Sequence, residues 1–191
     1  MQFGNNGHQY MVVQDDVLFR EFQKGSDLAF VNLYNRYKHS AYVYCLKILG
    51  DGDAAKDIVQ GVFLKVYERR SQLLHPERFK SWLLMIARND CLTMKRKASW
   101  TAELPEESED TLASPPTSAV EKEEEIALVA QAIARLQPEL KEIVILREYE
   151  NLSYKEIADV LGVAESTVKS RLFSARGQLY ARLKPMFEER R

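Results

Sequence analysis

The sequence is poor in the residues from which metal sites and disulfide frameworks are built. It has only two cysteines, Cys45 and Cys91, without Cys-x-x-Cys spacing, and its three histidines, His8, His39 and His75, have no ligand neighbours at helical spacing. No zinc site, disulfide framework or other cofactor is therefore expected, and the two thiols are predicted to be buried and reduced. Motifs for a Ser/His/Asp triad or a phosphate-binding loop are also missing, which argues against an enzyme.

Long apolar runs and a secretory N-terminus are missing too. No run of about eighteen apolar residues, the length of a membrane span, occurs in the chain, so no stable membrane insertion is expected. Residues 1–10 are rich in Asn, Gly and Gln and lack a basic region followed by an apolar one. A cytoplasmic protein is therefore predicted, with residues 1–12 as a disordered tail and translation starting at Met1 or at Met11.

Charges of the two signs are unevenly distributed, although the net charge is only −1. Residues 1–97 hold 15 Lys or Arg against 10 Asp or Glu, and residues 126–191 hold 11 against 9. Residues 98–125 hold one basic residue against nine acidic ones. Two mildly basic segments on either side of a strongly acidic one suggest two modules that face a polyanion and a linker that avoids it.

Apolar residues recur at three- and four-residue steps almost everywhere, so an all-α fold is predicted. Gly25 and Ser26 break the first helical run, a further run from about Ser40 ends at Gly50, and Asp53 is predicted to cap the next helix. The predicted organisation is two small helical domains, 13–97 and 123–185, joined by an acidic, proline-containing linker at 98–122 and followed by a tail at 186–191.

The clearest local motif lies between residues 153 and 176. Ser153 and Glu156 have the spacing of a capping box, Gly162 is placed for a left-handed turn, and a second helix is predicted to begin at about Glu165. This order of helix, glycine turn and helix predicts a helix-turn-helix, whose second helix lies in the major groove of DNA. The residues of that helix predicted to contact DNA are Ser166, Lys169, Ser170, Arg171, Phe173, Ser174 and Arg176.

Residues 136–176, with the run Thr167-Val-Lys-Ser-Arg-Leu172, resemble the C-terminal region 4 of the extracytoplasmic-function (ECF) sigma factors of the sigma-70 family. In that family, region 4 binds the −35 promoter element. The family's base-contacting positions fall on Lys169, Ser170, Phe173 and Ser174. Ser174 departs from the Arg that is frequent at its position, so the resemblance implies that one strong contact is missing.

Two segments of the first domain resemble region 2 of the same family. Residues 57–67 are similar to the segment that binds the clamp of core RNA polymerase, and residues 79–90 to the segment that opens and binds the −10 element. The resemblance implies clamp contacts by Asp57, Gln60 and Phe63, with core packing as the alternative for Phe63. Gly61 departs from the acidic residue that is common at its position.

For the −10 element, the resemblance implies a loop at about 71–80 that holds an unstacked base. Asn89 matches a position that helps to recognise this base, and Arg88, Lys95, Arg96 and Lys97 are expected to form a basic track along the open strand. Trp82 is expected to pack in the core rather than to stack on a base.

The resemblance implies a non-enzymatic subunit that binds core RNA polymerase and promoter DNA, directs initiation and is controlled by an anti-sigma factor. A stand-alone regulator with a ligand-sensing first domain is one competing interpretation, and it predicts DNA binding without polymerase. An adapter that mimics a sigma factor is another. It predicts an acidic or eroded recognition helix, whereas Lys169, Arg171 and Arg176 are basic.

Overall fold

The structure, a computed structural model, describes residues 14–101 and 120–188. Every regular element in these two ranges is helical, which confirms the predicted all-α fold class. The first range contains α1 (Asp15–Gln23), α2 (Asp27–Leu49), α3 (Gly52–Glu68) and α4 (Phe79–Thr101). The second contains α5 (Val120–Ala134), α6 (Pro138–Val144), α7 (Tyr154–Leu161) and α8 (Glu165–Glu188). None of the described helices is long and apolar enough to span a membrane.

The core of the first domain is rich in aromatic rings. Phe19 is fully buried, and its ring centroid lies 5.2 Å from that of Phe79 and 5.8 Å from that of Phe22. Tyr37 packs edge-on against Phe79 at 5.2 Å. Because these rings come from α1, α2 and α4, the short helix α1 is held on the bundle by its buried apolar side.

The two cysteines lie on adjacent helices of this core. Cys45 on α2 and Cys91 on α4 are both buried, as predicted, and their thiols are free. A hydrogen bond between the two side chains, together with burial, raises the pKa of Cys45. The protonated thiol is the form that this apolar environment favours.

Two local predictions in this domain are wrong. The predicted helix from about Ser40 is the second half of α2, which runs unbroken from Asp27 to Leu49, since no glycine or proline interrupts it. The cap of α3 is Asp51 rather than Asp53, because the Asp51 carboxylate accepts from the amides of Asp53 and Ala54 at 2.9 and 3.0 Å. Gly50 ends α2 in the left-handed conformation, as predicted.

Three helices extend beyond the boundaries predicted for them. Helix α4 continues to Thr101, α5 begins at Val120, and α8 continues to Glu188. The predicted linker at 98–122 therefore begins and ends inside helices, and most of it lies outside the described residues. The predicted tail at 1–12 also lies outside them.

The second domain is built from α5–α8. Its core contains fully buried Ile143, Ile145, Leu146 and Ile157. Between α6 and α7 the chain forms a π-helical turn, Ile145–Tyr149, after which Asn151 takes the left-handed conformation with φ 54°. The two domains are in contact, because α7 packs against α4.

Candidate nucleic-acid interface

The predicted helix-turn-helix is formed by α7, a short turn and α8. The Ser153 hydroxyl accepts from the Glu156 amide at 3.2 Å, and the Glu156 carboxylate accepts from the Ser153 amide at 2.8 Å, which completes the capping box. Gly162 ends α7 with φ 68° and donates its amide to the Ala158 carbonyl at 2.9 Å. A residue with a Cβ is strained at this φ, so the glycine defines the turn that sets α8 across α7.

One side of the first half of α8 is in the core and the other is open. Val168, Leu172 and Ala175 are buried. Arg171 is half-buried at the edge between the two sides. The exposed side, called here the recognition face, consists of Ser166, Lys169, Ser170, Phe173, Ser174 and Arg176.

Phe173 is the most unusual member of the recognition face, because this large apolar side chain is 84% exposed. A solvated phenylalanine between polar neighbours contributes nothing to folding by burial. It is available to contact an apolar group of a partner, such as a thymine methyl.

The cations of the recognition face are paired within the protein. Lys169 Nζ lies 3.0 Å from the Glu165 carboxylate, and Arg176 donates to the Glu148 carboxylate at 3.2 Å. The bond to Glu148 raises the pKa of Arg176. Both pairs are exposed, so each contributes little to stability. Either cation can therefore exchange its carboxylate partner for a phosphate at little cost. Ser170 donates its hydroxyl to the Thr167 carbonyl at 3.0 Å.

The residues predicted for the −10 element do not all lie together. Asn89, Lys95 and Arg96 line one shallow groove on α4, and Lys97 is exposed one residue further along. Arg88 points away from this groove and donates to Glu142 of the second domain at 2.8 Å. The structure therefore separates Arg88 from the rest of the predicted basic track.

The predicted base-holding loop, at about 71–80, contains two 3-10 turns, Arg70–Gln72 and Pro76–Arg78, and its last two residues already belong to α4. The Gln23 amide fixes the first turn by donating to the carbonyls of Arg70 and Leu73, each at 2.9 Å. Trp82 is half-buried and meets Phe19 edge-on at 6.2 Å, which supports the predicted packing role. Leu74 at the tip of the loop is exposed.

The predicted polymerase-binding residues divide into two surface residues and one core residue. Asp57 and Gln60 are exposed on one face of α3. Phe63 is 3% exposed and packs edge-on against Tyr34 at 4.8 Å, so the structure supports the packing role over a partner contact. Leu64 is an exposed apolar residue four positions after Gln60, on the same face. Sequence periodicity overlooked it because it lies beside a genuine apolar stripe.

The architecture indicates a class of protein. Two all-helical domains, one of them a helix-turn-helix with an exposed, cation-bearing recognition face, are typical of a DNA-binding transcription protein. Within the described residues there is no group of three or more His, Cys, Asp and Glu side chains arranged to hold a metal ion.

The comparisons with known proteins specify the family. Residues 33–101 match the family model "Sigma-70 region 2", and residues 126–179 match "Sigma-70, region 4". The RNA polymerase sigma-H factor of Pseudomonas aeruginosa is 32% identical over 92% of this chain and 97% of its own length. The ECF RNA polymerase sigma-E factor of Escherichia coli K12 is 31% identical over 90% of this chain and 95% of its own.

A solved structure, that of the sigma factor RpoE in complex with the anti-sigma factor NepR from Bartonella quintana, has the same fold. It superposes with a TM-score of 0.69 at 23% identity, covering 81% of this chain and 96% of that one. The chain belongs to the sigma-70 family, among its ECF sigma factors.

Proposed function

We propose that the protein is an alternative sigma factor of the cytoplasm that binds core RNA polymerase and directs initiation at promoters with −35 and −10 elements. It performs no bond chemistry of its own. The observation that carries the proposal is the presence of both family regions, in order, in a chain that matches curated sigma factors over nine-tenths of its length.

The recognition face is proposed to bind the −35 element as duplex DNA. Lys169 and Arg176 are exposed cations that exchange a weak internal partner for a phosphate or a guanine edge. Ser166, Ser170 and Ser174 supply short polar side chains that let the helix approach the groove closely. Phe173 supplies the apolar contact.

The groove on α4 is proposed to bind the opened −10 strand. Asn89 offers an amide that both donates and accepts, and Lys95 with Arg96 supplies positive charge along the same groove. Unstacking a base costs a few kcal/mol, so a charged track beside the base-binding loop is needed to hold the open strand. Lys97 is proposed to extend this track, and Arg88 to join it when released from Glu142.

The exposed face of α3 is proposed to bind the polymerase. Asp57 and Gln60 offer polar contacts, and Leu64 adds an apolar one beside them. Regulation by an anti-sigma factor is proposed from the solved neighbour, which was crystallised with one.

The polymerase assignment is tested by Asp57→Arg, which places a cation in the proposed contact. We expect co-purification with core RNA polymerase, and run-off transcription, to fall at least about tenfold, since a reversed charge in an interface costs several kcal/mol. Circular dichroism checks that the variant folds.

The matched control is Glu21→Arg on α1, the same charge change at another exposed acidic residue of the first domain. It is expected to bind polymerase as the wild type does. Undiminished binding by Asp57→Arg contradicts the assignment of α3. Failure of the wild-type chain to bind polymerase, or to direct initiation from any template of a genomic promoter library, contradicts the proposed function.

A further inference from the structure

One polar side chain of α1 is bonded to the base-holding loop. The Gln23 side-chain nitrogen Nε2 donates to the Arg70 and Leu73 carbonyls, each at 2.9 Å, across 47 and 50 positions of sequence. An amide nitrogen carries two hydrogens, so both bonds form at once. Gln23 is the last residue of α1 and is half-buried, because its side chain lies against this loop rather than in solvent.

The second of these carbonyls lies where the loop leaves the core. Leu73 is 7% exposed, whereas Leu74, the next residue, is 83% exposed. The first 3-10 turn ends at Leu73, whose backbone is extended, with φ −82° and ψ 103°. A carbonyl at the end of a turn needs a donor from elsewhere, because no following turn supplies an amide. The Gln23 amide is that donor, so it fixes the last point of the chain before the exposed tip.

Helix α1 contacts the other end of the loop as well. Phe79 is the first residue of α4, directly after the second 3-10 turn, and its buried ring lies 5.2 Å from that of Phe19. Beside the first turn, the Arg70 guanidinium lies over the ring of Phe22, 5.8 Å from its centroid. The helix therefore holds the loop at both ends and leaves the tip around Leu74 exposed.

A loop that receives an unstacked base binds it more tightly when the loop is already ordered. Unstacking the base is unfavourable, and ordering the loop in the same step adds an entropic cost. A loop that is fixed beforehand avoids this second cost, which raises affinity without any further contact to DNA. The two bonds from Gln23 act in this way, because they hold main-chain carbonyls and leave the side chains of the tip available to nucleic acid.

We propose that Gln23 is a positioning residue for −10 recognition. Its amide holds the base-holding loop in the conformation that receives the unstacked base, and Gln23 itself does not contact DNA. The proposal rests on the proposed function, in which the first domain binds the opened −10 strand. Its structural half, that the Gln23 amide orders residues 70–78, concerns the free chain and is tested without DNA or polymerase.

Two substitutions of Gln23 test the ordering of the loop in the full chain. Gln23→Met keeps the length of the side chain without a donor, and Gln23→Glu keeps its shape but places an acceptor opposite two carbonyls. Hydrogen–deuterium exchange of the loop amides is expected to become at least about fivefold faster in Gln23→Met, about the factor that one lost hydrogen bond contributes, and faster still in Gln23→Glu. Circular dichroism and exchange of the α2 and α3 amides are expected to match the wild type.

The matched control is Gln131→Met, the same change at an exposed glutamine of α5. Its loop amides are expected to exchange as they do in the wild type. If the loop amides of Gln23→Met exchange no faster than those of this control, Gln23 does not order the loop and the proposal is overturned, whatever the chain binds.

Removal of single bases measures the positioning role in the reconstituted holoenzyme. The probes are labelled single-stranded oligonucleotides that carry the −10 element of a promoter mapped by run-off transcription, intact or with one base at a time replaced by an abasic site. The wild type is expected to lose about tenfold in affinity when the base held by the loop is removed. In Gln23→Met this loss is expected to shrink to about threefold or less. A general loss of stability would instead weaken binding to the intact and abasic probes by the same factor.

The outcomes separate the positioning role from the proposed function. Binding of core polymerase and of a −35 duplex is expected to be the same for Gln23→Met and the wild type. If Gln23→Met loses as much affinity on the abasic probe as the wild type does, or if its −35 binding falls equally, the positioning role is overturned and the sigma function stands. A wild-type holoenzyme that is indifferent to every abasic site overturns the −10 role of the loop together with that of Gln23. A chain that never binds polymerase overturns the sigma function itself.

Discussion

Replacing Phe173 with alanine tests whether the exposed side of α8 serves DNA binding and not folding. Phe173 is 84% exposed, so Phe173→Ala removes almost no buried surface and is expected to change the free energy of unfolding by less than about 0.5 kcal/mol. Complete burial of a phenylalanine side chain is favourable by about 1.5–3 kcal/mol. A groove contact that covers about half of this side chain gives about 1 kcal/mol, or about a fivefold loss of affinity in the variant.

The neighbouring Leu172 provides the matched control. It is 2% exposed, and Leu172→Ala is expected to cost about 2–5 kcal/mol of stability because it leaves a cavity. Urea unfolding gives the stability, and fluorescence anisotropy of reconstituted holoenzyme on a labelled −35 duplex gives the affinity. If Phe173→Ala binds that duplex as tightly as the wild type, or if it unfolds as easily as Leu172→Ala, the assignment of the recognition face is refuted.

Three other predictions concern individual side chains. Lys169→Ala should weaken −35 binding and flatten the log–log salt dependence of affinity by about 0.9, as measured by anisotropy across a salt series, and an unchanged slope would show that Lys169 meets no phosphate. Gly61→Ala should raise the free energy of unfolding, measured in urea, by up to about 1 kcal/mol. Gly61 lies inside α3, and an added Cβ would meet no atom within 4 Å. A lower free energy of unfolding would instead reveal a packing role for the glycine. Burial raises the pKa of both Tyr37 and Tyr44 above the ordinary 10.0, so the unfolded chain loses these protons at a lower pH than the folded chain. The free energy of unfolding should therefore fall as the pH rises above about 10, with no loss below it. Ultraviolet titration should show these two of the nine tyrosines ionising only on unfolding, and their ionisation in the folded protein near pH 10 would contradict their burial.

The helix-turn-helix was predictable because its signals are local. Ser153, Glu156 and Gly162 each determine a backbone conformation through bonds to residues at most four positions away, so their spacing alone predicts the cap and the turn. The cap of α3 was predicted two residues late for a similar local reason. Asp51 and Asp53 are chemically equivalent in the sequence, and only the path of the chain after Gly50 determines which carboxylate meets the free amides.

The polar contacts between the two domains were not predictable, because they join residues that are distant in sequence. Ser40 and Glu150 are 110 positions apart, and Arg88 and Glu142 are 54 apart. In the sequence, Arg88 is one more cation beside a proposed DNA strand, and both glutamates are ordinary polar members of helical patterns. For Phe63, by contrast, the local pattern was the better guide. Its periodicity placed it correctly on the buried apolar stripe of α3, whereas the family resemblance assigned it to a surface that binds a partner.

The length of α8 has a mechanical consequence. The helix extends without a break from Glu165 to Glu188. Near its C-terminal end, Arg182 donates to the Ala132 carbonyl of α5 at 3.2 Å. Lys169 and Arg182 are separated by about 20 Å along this single rod, at about 1.5 Å per residue. A tilt of about 10° about the Arg182 end would displace Lys169 by about 3.5 Å, which exceeds the length of a hydrogen bond. The hydrogen bond between Arg182 and Ala132 is therefore expected to hold the recognition face in one orientation relative to α5.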